Sequence, residues 1–362
     1  MIAANGLSLA FICLDADTLG GMQRVTHTVA HGLASRGYEV HVVGLHQATH
    51  PFRYIRTPAY RHHVIHRSTP GRLMRRAGDR TLKRLLSRLS PGYTIMTSPS
   101  VVSRVSDLVP PHLHRIGQYH GSYEHARGSW HLGSIRRHYG HLAQAVFLSD
   151  DDARRFADHA LLPNTHHIPN PLATWPCNVS PLTTRRVLGV GRLEGVKRFD
   201  RLITAFAHAA RAVPDPWELH LIGDGTEHDR LAAHAAHHGV SDRVVFRGRV
   251  AGDEMAGEYT KASLVAVSSE HEGHPLVLGE AASYGLPSVA FDISGGIRTA
   301  VADGGILVPP GDVEGFTTAL TSLMLSPAKR RALGHSARLN ARHFRLDQVL
   351  DEWEQLFTHI AR

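Results

Sequence analysis

Two acidic residues, Glu272 and Glu280, stand eight positions apart in the stretch SSEHEGHPLVLGEAASYGLPSVAFD, Ser268 to Asp292. Two cations, Arg192 and Lys197, stand five apart in VLGVGRLEGVKRFDRL. Carboxylates on a loop and a nearby helix can orient hydroxyl groups. Fixed cations beside the start of a helix can hold a diphosphate and stabilise the charge that grows on it as a bond to it breaks, without a metal ion. Each pair taken alone equally suits solvated surface residues; together they are compatible with holding a phosphate-bearing ligand. The HEGHP segment does not read as a zinc site, because its second histidine comes one residue too early to share a helix face with the first.

These residues need elements to position them. LVAV (Leu264 to Val267) reads as a buried strand, the loop after it carries Glu270, Glu272, Gly273 and His274, and a helix is expected from near Pro275, since proline fits a first helical turn. Leu276 and Val277 fall in that first turn, and the unbonded amides from His274 to Val277 would face an anion. Glu272 then sits at the mouth of the helix and Glu280 in its second turn. A Gly-Leu-Pro turn leads to the strand SVAFD. Arg192 and Lys197 lie between a strand at Val187 to Val190, the turn glycine Gly191, and a helix from about Phe199 that presents Leu202, Ile203 and Phe206.

The N-terminal half has the same grammar. SLAFICL (Ser8 to Leu14) is a continuous apolar run of the kind buried in parallel sheets. Gly20 and Gly21 precede a helix with Val25, Val29 and Leu33 on one stripe, and EVHVVGL follows after Gly37. The glycine pair lacks the spacing of a dinucleotide fingerprint and equally suits a plain tight turn. YTIMTS, HRIGQYHG and AVFLSD read as further strands, with His120 at a strand end, where open α/β sheets place ligands. In the second half, WELHLIGDG, VVFRGRV (Val244 to Val250, with Arg247) and GGILVPPGD complete a second α/β pattern. The final segment, DQVLDEWEQLFTHI, carries an apolar helix face.

The chain of 362 residues is long enough for two domains, and its 42% hydrophobic content is that of a globular protein. Its 2 cysteines, Cys13 and Cys177, suggest neither a disulfide framework nor a metal site. The first residues lack a basic lead and a cleavage site, and no apolar run reaches spanning length, so a cytosolic location is expected. A net charge of +8 favours anionic partners. Much of it gathers between Arg53 and Arg88, where a basic amphipathic helix over Arg72 to Leu89 either packs its leucines on a sheet or lies against an anionic membrane at its inner face. Nucleic acid is not expected, since aromatic interleaving and a known module are missing.

Glu272-GHPLVLG-Glu280-AASYGLPSVAFD resembles the paired-glutamate signature of the retaining family-4 glycosyltransferases, and VGRLEGVKRFDRLITAF is similar to their second motif, VGRLxxxKxxxxLxxAF. Gly20-Gly21 with RGYEVHVV, Gly223-Asp224-Gly225 and Asn170-Pro171 are similar to lesser motifs of the same family. The resemblance implies an α/β GT-B fold: two facing Rossmann-like doubly wound domains with the active site in the cleft between them. It implies an acceptor-binding domain over 1–173, a nucleotide-sugar-binding domain over 174–345, and a last helix, about 346–362, packing back on the first. The stretch from His166 to Arg186, rich in proline, is the expected linker.

The implied reaction moves a sugar from a nucleotide-diphosphate donor to an acceptor hydroxyl, retaining the anomeric configuration, with no cofactor and no essential metal. By resemblance, Glu272 and His120 lie near the donor sugar, Glu280 holds the ribose, and Arg192 and Lys197 hold the diphosphate. Gly20, Gly21, Gly191, Gly273, His274, Pro275, Leu276 and Val277 line the donor, and the loop at Arg247 lies by the base. The sequence departs from the family pattern at His274, Gly279 and Thr299, and no motif glutamate or cation is lost. Several acceptors fit: a cell-envelope glycan such as a teichoic-acid-like polymer, a lipid-linked precursor, or a small natural product. A nucleotide-sugar epimerase and a silent glycan-binding relative are the alternatives outside transfer.

Overall fold

Continuous apolar runs bounded by glycine and proline become the central strands of two all-parallel sheets. The computed structural model describes residues 6–252 and 254–361, with the side chains of Arg72 and Leu73 excepted. The chain forms two compact units, one made of the residues up to Ala173 together with those from Leu346 onward, the other of Thr174–Arg345.

The first unit holds β1 (Ser8–Cys13), β2 (Glu39–Gly44), β3 (Arg61–Val64), β4 (Gly92–Met96), β5 (Leu113–Gln118), β6 (Gln144–Phe147) and β7 (Thr165–His167). Their order across the sheet is β3-β2-β1-β4-β5-β6-β7. The second unit holds β8 (Arg186–Val190), β9 (Glu218–Ile222), β10 (Val244–Gly248), β11 (Leu264–Val267), β12 (Ser288–Phe291) and β13 (Gly305–Val308), ordered β10-β9-β8-β11-β12-β13. Both sheets are therefore doubly wound. In each, the winding reverses beside the first strand, between β1 and β4 and between β8 and β11. Such a reversal opens a crevice at the carboxyl ends of the two central strands.

Two strands had no sequence signal. β3 (RHHV) and β7 (THH) are short sheet edges without an apolar run, and they form because their backbones complete the ladders of β2 and β6. β7 occupies the beginning of the segment expected to be a linker. The basic helix runs Arg72–Leu86. Leu82, Leu86 and the following Leu89 are buried in the first unit's core, and Leu85 packs against it. Its described leucines are thereby occupied, and the side chains it leaves exposed include Arg75, Arg76, Arg80, Lys83, Arg84 and Met74. No helix among the described residues is long and apolar enough to cross a membrane.

The helix Leu346–Ile360 completes the first unit. Trp353 meets Phe11 edge to face at 6.3 Å, Phe357 stacks on Tyr93 at 4.4 Å, and the Tyr93 hydroxyl donates to the Phe357 carbonyl at 2.7 Å. Arg36 ties the helix Gly21–Ser35 to Asp351 and Glu354 at 2.7 and 2.6 Å. Trp353 is 1% exposed, so Trp353→Ala is expected to cost about 3–5 kcal/mol. Urea unfolding followed by circular dichroism will show the first unit melting earlier.

Candidate functional site

In the second unit, the loops that follow β8 and β11 meet at the point where the winding reverses. Their backbones are joined: the Glu270 amide donates to the Val196 carbonyl at 2.9 Å, and the Ser268 hydroxyl to the Lys197 carbonyl at 2.9 Å. Side chains continue the junction. The Lys197 ammonium lies 2.6 Å from Oε1 of Glu272, and the Ser269 hydroxyl donates to the same oxygen at 2.7 Å. Both charged side chains are largely covered, 22% and 13% exposed. Arg192 on the same loop is different: its 3.2 Å pair with Glu194 is open to solvent and so costs little to break. Glu270 is committed to structure, pairing with Arg198 and Arg201.

The helix expected from Pro275 runs Leu276–Ser283, with Pro275 as its N-cap in an extended conformation. Proline at this position has φ −70 and ψ 122, the extended ψ that a residue just outside a helix adopts. No side chain caps the helix start. The Leu278 amide is bonded to the Pro275 carbonyl, which leaves the Leu276 and Val277 amides as the donors the helix itself cannot satisfy. Glu280, in the second turn, accepts the Tyr259 hydroxyl at 2.7 Å, and Tyr259 stacks on Tyr284 at 5.2 Å. Nothing in the spacing of Tyr259, on a separate helix, marks it as the partner of Glu280. Ser269 likewise carries no motif, although its position three before Glu272 suits a turn bond.

Two glycines let the loops close on one another. A Cβ on Gly223 would stand 1.9 Å from the Gly191 carbonyl oxygen, and the residue has φ +139, so only glycine fits the turn beneath Arg192. A Cβ on Gly296 would stand 1.9 Å from the Gly273 carbonyl oxygen, the same oxygen that accepts the Ser294 hydroxyl at 3.1 Å. His274, 4% exposed, packs edge to face on Phe344 at 4.8 Å. Burial pushes its pKa down to about 4, so the ring is neutral at pH 7. The Arg247 guanidinium is held by the buried Glu258 at 2.8 Å, beside Arg186.

In the first unit, the Gly20 amide donates to the Tyr54 hydroxyl at 2.7 Å, and that hydroxyl donates to the Thr18 carbonyl at 2.6 Å. Gly21 opens the helix Gly21–Ser35, which has no side-chain cap. His120 lies two residues beyond β5. Both its ring nitrogens are buried without a hydrogen-bond partner among the described residues, and burial pushes its pKa down to about 4. It offers a donor and an acceptor without charge.

Residues 178–340 match the family described as glycosyl transferases group 1, and residues 19–174 match glycosyltransferase family 4. The chain belongs to this glycosyltransferase family. It is 31% identical over 291 residues to an exopolysaccharide phosphotransferase of Streptomyces coelicolor, covering 78% of this chain and 30% of that protein, so it spans under a third of that relative's length. Among solved structures, a sucrose-phosphate synthase from Thermosynechococcus elongatus superimposes with a TM-score of 0.82 at 19% identity, over 98% of this chain and 99% of that one. An Anabaena protein in complex with UDP and glucose superimposes with a TM-score of 0.77 at 17% identity, over 98% and 100%. The fold of this glycosyltransferase is GT-B.

Among the described residues of this family member, no group of three or more histidines, cysteines or acids is placed to hold a metal ion. Gly296→Ala should cost about 1–3 kcal/mol in urea unfolding, because the new methyl meets backbone and the loop of Glu272 must shift. Folded His274 and His120 titrate near 4, below the ordinary histidine value of 6.5, so the unfolded chain binds more protons between those limits. Stability is thus whole above about pH 6.5 and falls as pH drops toward 4. Urea midpoints at pH 7, 6 and 5 should decline, and less steeply in His274→Phe.

Proposed function

We propose that this chain transfers a sugar from a nucleoside-diphosphate donor to a hydroxyl of a growing glycan, retaining the anomeric configuration. The observation that carries this is the Lys197–Glu272 pair, which joins two loops at the crevice of the second unit beside Arg192 and an uncapped helix start. Lys197 has three N–H donors and spends one on Glu272, so the others can meet a diphosphate. Arg192 can leave its exposed pair to close on the same group, and the Leu276 and Val277 amides complete the cradle. Glu280, oriented by Tyr259, is suited to a ribose diol. Glu272 receives two hydrogen bonds on one oxygen, and a carboxylate so engaged still has room to accept from sugar hydroxyls. Neutral His120 offers a further sugar contact, the glycine turn at Gly20-Gly21 a close approach, and the loop at Arg247 a backbone edge for the base.

In the reaction, the bond from the anomeric carbon to the diphosphate oxygen breaks as the bond to the acceptor oxygen forms on the same face. The acceptor's proton passes to the departing phosphate oxygen, and the cations stabilise the charge left there. The Anabaena neighbour bound to UDP and glucose supports a uridine nucleotide as donor, and the exopolysaccharide relative supports an extracellular or cell-envelope glycan as product. The exposed arginines between Arg75 and Arg88 would hold the chain near an anionic acceptor or membrane surface.

The test is a thermal-shift and hydrolysis screen with UDP-, GDP-, ADP- and TDP-sugars. One donor should stabilise the protein and be slowly hydrolysed. Each of Lys197→Ala and Glu280→Ala should weaken that donor roughly 10- to 100-fold, the value of a hydrogen bond to a charged group. Absence of any nucleotide-sugar binding at millimolar concentration would sink the reading.

A further inference from the structure

His120 has no hydrogen bond of its own to orient it: both ring nitrogens are buried without a partner among the described residues. The direction of the ring is therefore inherited from the turn that carries it, Tyr119 to Tyr123. That turn is held at both ends. At one end the Tyr119 amide donates to the Val146 carbonyl at 3.0 Å, which extends the pairing with β6 one residue past β5. At the other end the Tyr123 amide donates to Oδ1 of Asp152 at 2.7 Å. Between them Gly121 lies so close on the Tyr119 ring that a Cβ there would collide with the phenol.

One helix, Asp150–Ala160, supplies the rest of the hold. Its Asp152 and Phe156 stand four positions apart, on one face. Phe156 is fully buried, stacks on Phe147 at 4.2 Å, and meets Tyr119 and Tyr123 edge to face at 5.8 and 5.3 Å, so the residues on both sides of His120 rest on a single ring. Asp152 is fully buried as well. Burial pushes its pKa up, while the Ser149 hydroxyl at 2.5 Å and the Tyr123 amide pull it down. A carboxylate in such a place is costly unless its bonds are made. Capping the helix does not require it, because the Ser149 hydroxyl oxygen already accepts the Asp152 amide at 3.1 Å. What the carboxylate adds is the bond to Tyr123. Arg155 on the same helix also pairs with Glu124, but that pair is about a third open to solvent and holds little.

We infer that Asp152 is a positioning residue for glycosyl transfer, which sets the direction of the His120 ring together with Phe156. It acts through the turn: one carboxylate oxygen fixes the backbone three residues after His120, and the Phe156 ring seats the tyrosines around it. A hydrogen bond weakens steeply with misalignment, so a slackened turn would lose the contact of His120 with a sugar hydroxyl. The diphosphate, held by residues of the second unit, would bind as before. This role rests on the transferase reading, in which His120 meets the donor sugar.

The experiment uses the full chain and whichever of the UDP-, GDP-, ADP- and TDP-sugars it hydrolyses. It measures kcat for that hydrolysis and, separately, affinity for the matching nucleoside diphosphate. Asp152→Ala should lower kcat tenfold or more and leave the nucleoside diphosphate affinity within twofold. His120→Ala should lower kcat likewise, and the double substitution should do no further harm, since Asp152 works through that ring. Asp152→Asn keeps an oxygen for the Tyr123 amide and should recover most of the rate. Ser149→Ala removes the helix cap but not the Tyr123 bond, so it gauges plain destabilisation and should stay within twofold of wild type. Where Asp152→Ala does not fold, Phe156→Leu takes its place and should show the same loss, again not additive with His120→Ala. An unchanged kcat in that variant, losses that add to those of His120→Ala, an equal loss in Ser149→Ala, or a fully active His120→Ala overturns the positioning role, while the transferase reading stands on its nucleotide-sugar hydrolysis. If no nucleotide sugar binds, the transferase reading falls, and the positioning role falls with it.

Discussion

The candidate site depends on one ion pair, Lys197 with Glu272 at 2.6 Å, formed across two loops that belong to different strands. Sequestering two charges from water is costly, and the attraction between them offsets that cost only where the geometry is held. Here the backbone bond from Glu270 to Val196 and the Ser269 hydroxyl hold it. Because the pair joins neighbouring strands of opposite winding, it exists only if the sheet order is correct. Site and topology are therefore one constraint: the crevice is where the chain's path reverses, and the pair is what fixes its two lips.

Around that pair the remaining cations and amides are graded by how firmly they are held. Arg198 and Arg201 are locked to Glu270 and Asp200 and serve as scaffold. Arg192 is loosely held and open to water. Such a division sets firmly paired cations beside Arg192, whose exposed pair costs little to break. The glycines Gly223 and Gly296 contribute by absence, since any side chain there would force apart loops whose carbonyls now lie in van der Waals contact with them.

Much of this was legible in the sequence. The apolar runs at Ser8, Glu39, Val187 and Leu264 gave strands because buried parallel strands need no alternation, and the paired glutamates with their glycine-proline frame marked the loop and helix that the structure places after β11. Edge strands β3 and β7 were not legible, because Arg-His-His-Val and Thr-His-His owe their conformation to a neighbour's unpaired backbone and not to their own side chains. Tyr259 escaped for a related reason: its bond to Glu280 crosses from one helix to another, and local periodicity carries no record of it. The start of the helix at Leu276 differs by one residue from expectation, since proline serves equally well just outside a helix and just within it. The leucines of the basic helix fitted a core better than a membrane by pattern, and the packing of Leu82 and Leu86 places them in the core.

The first unit is built from two stretches of chain separated by the whole of Thr174–Arg345. On a ribosome, its sheet emerges well before the helix that covers Phe11 and Tyr93 has been made. At about 5–20 residues per second the interval is on the order of 10–30 s. During that time the second unit is being made while the first shows an uncovered aromatic surface. The first unit is thus completed only after the whole of the second has been synthesised, and the nascent first half is the part that chaperones have reason to hold.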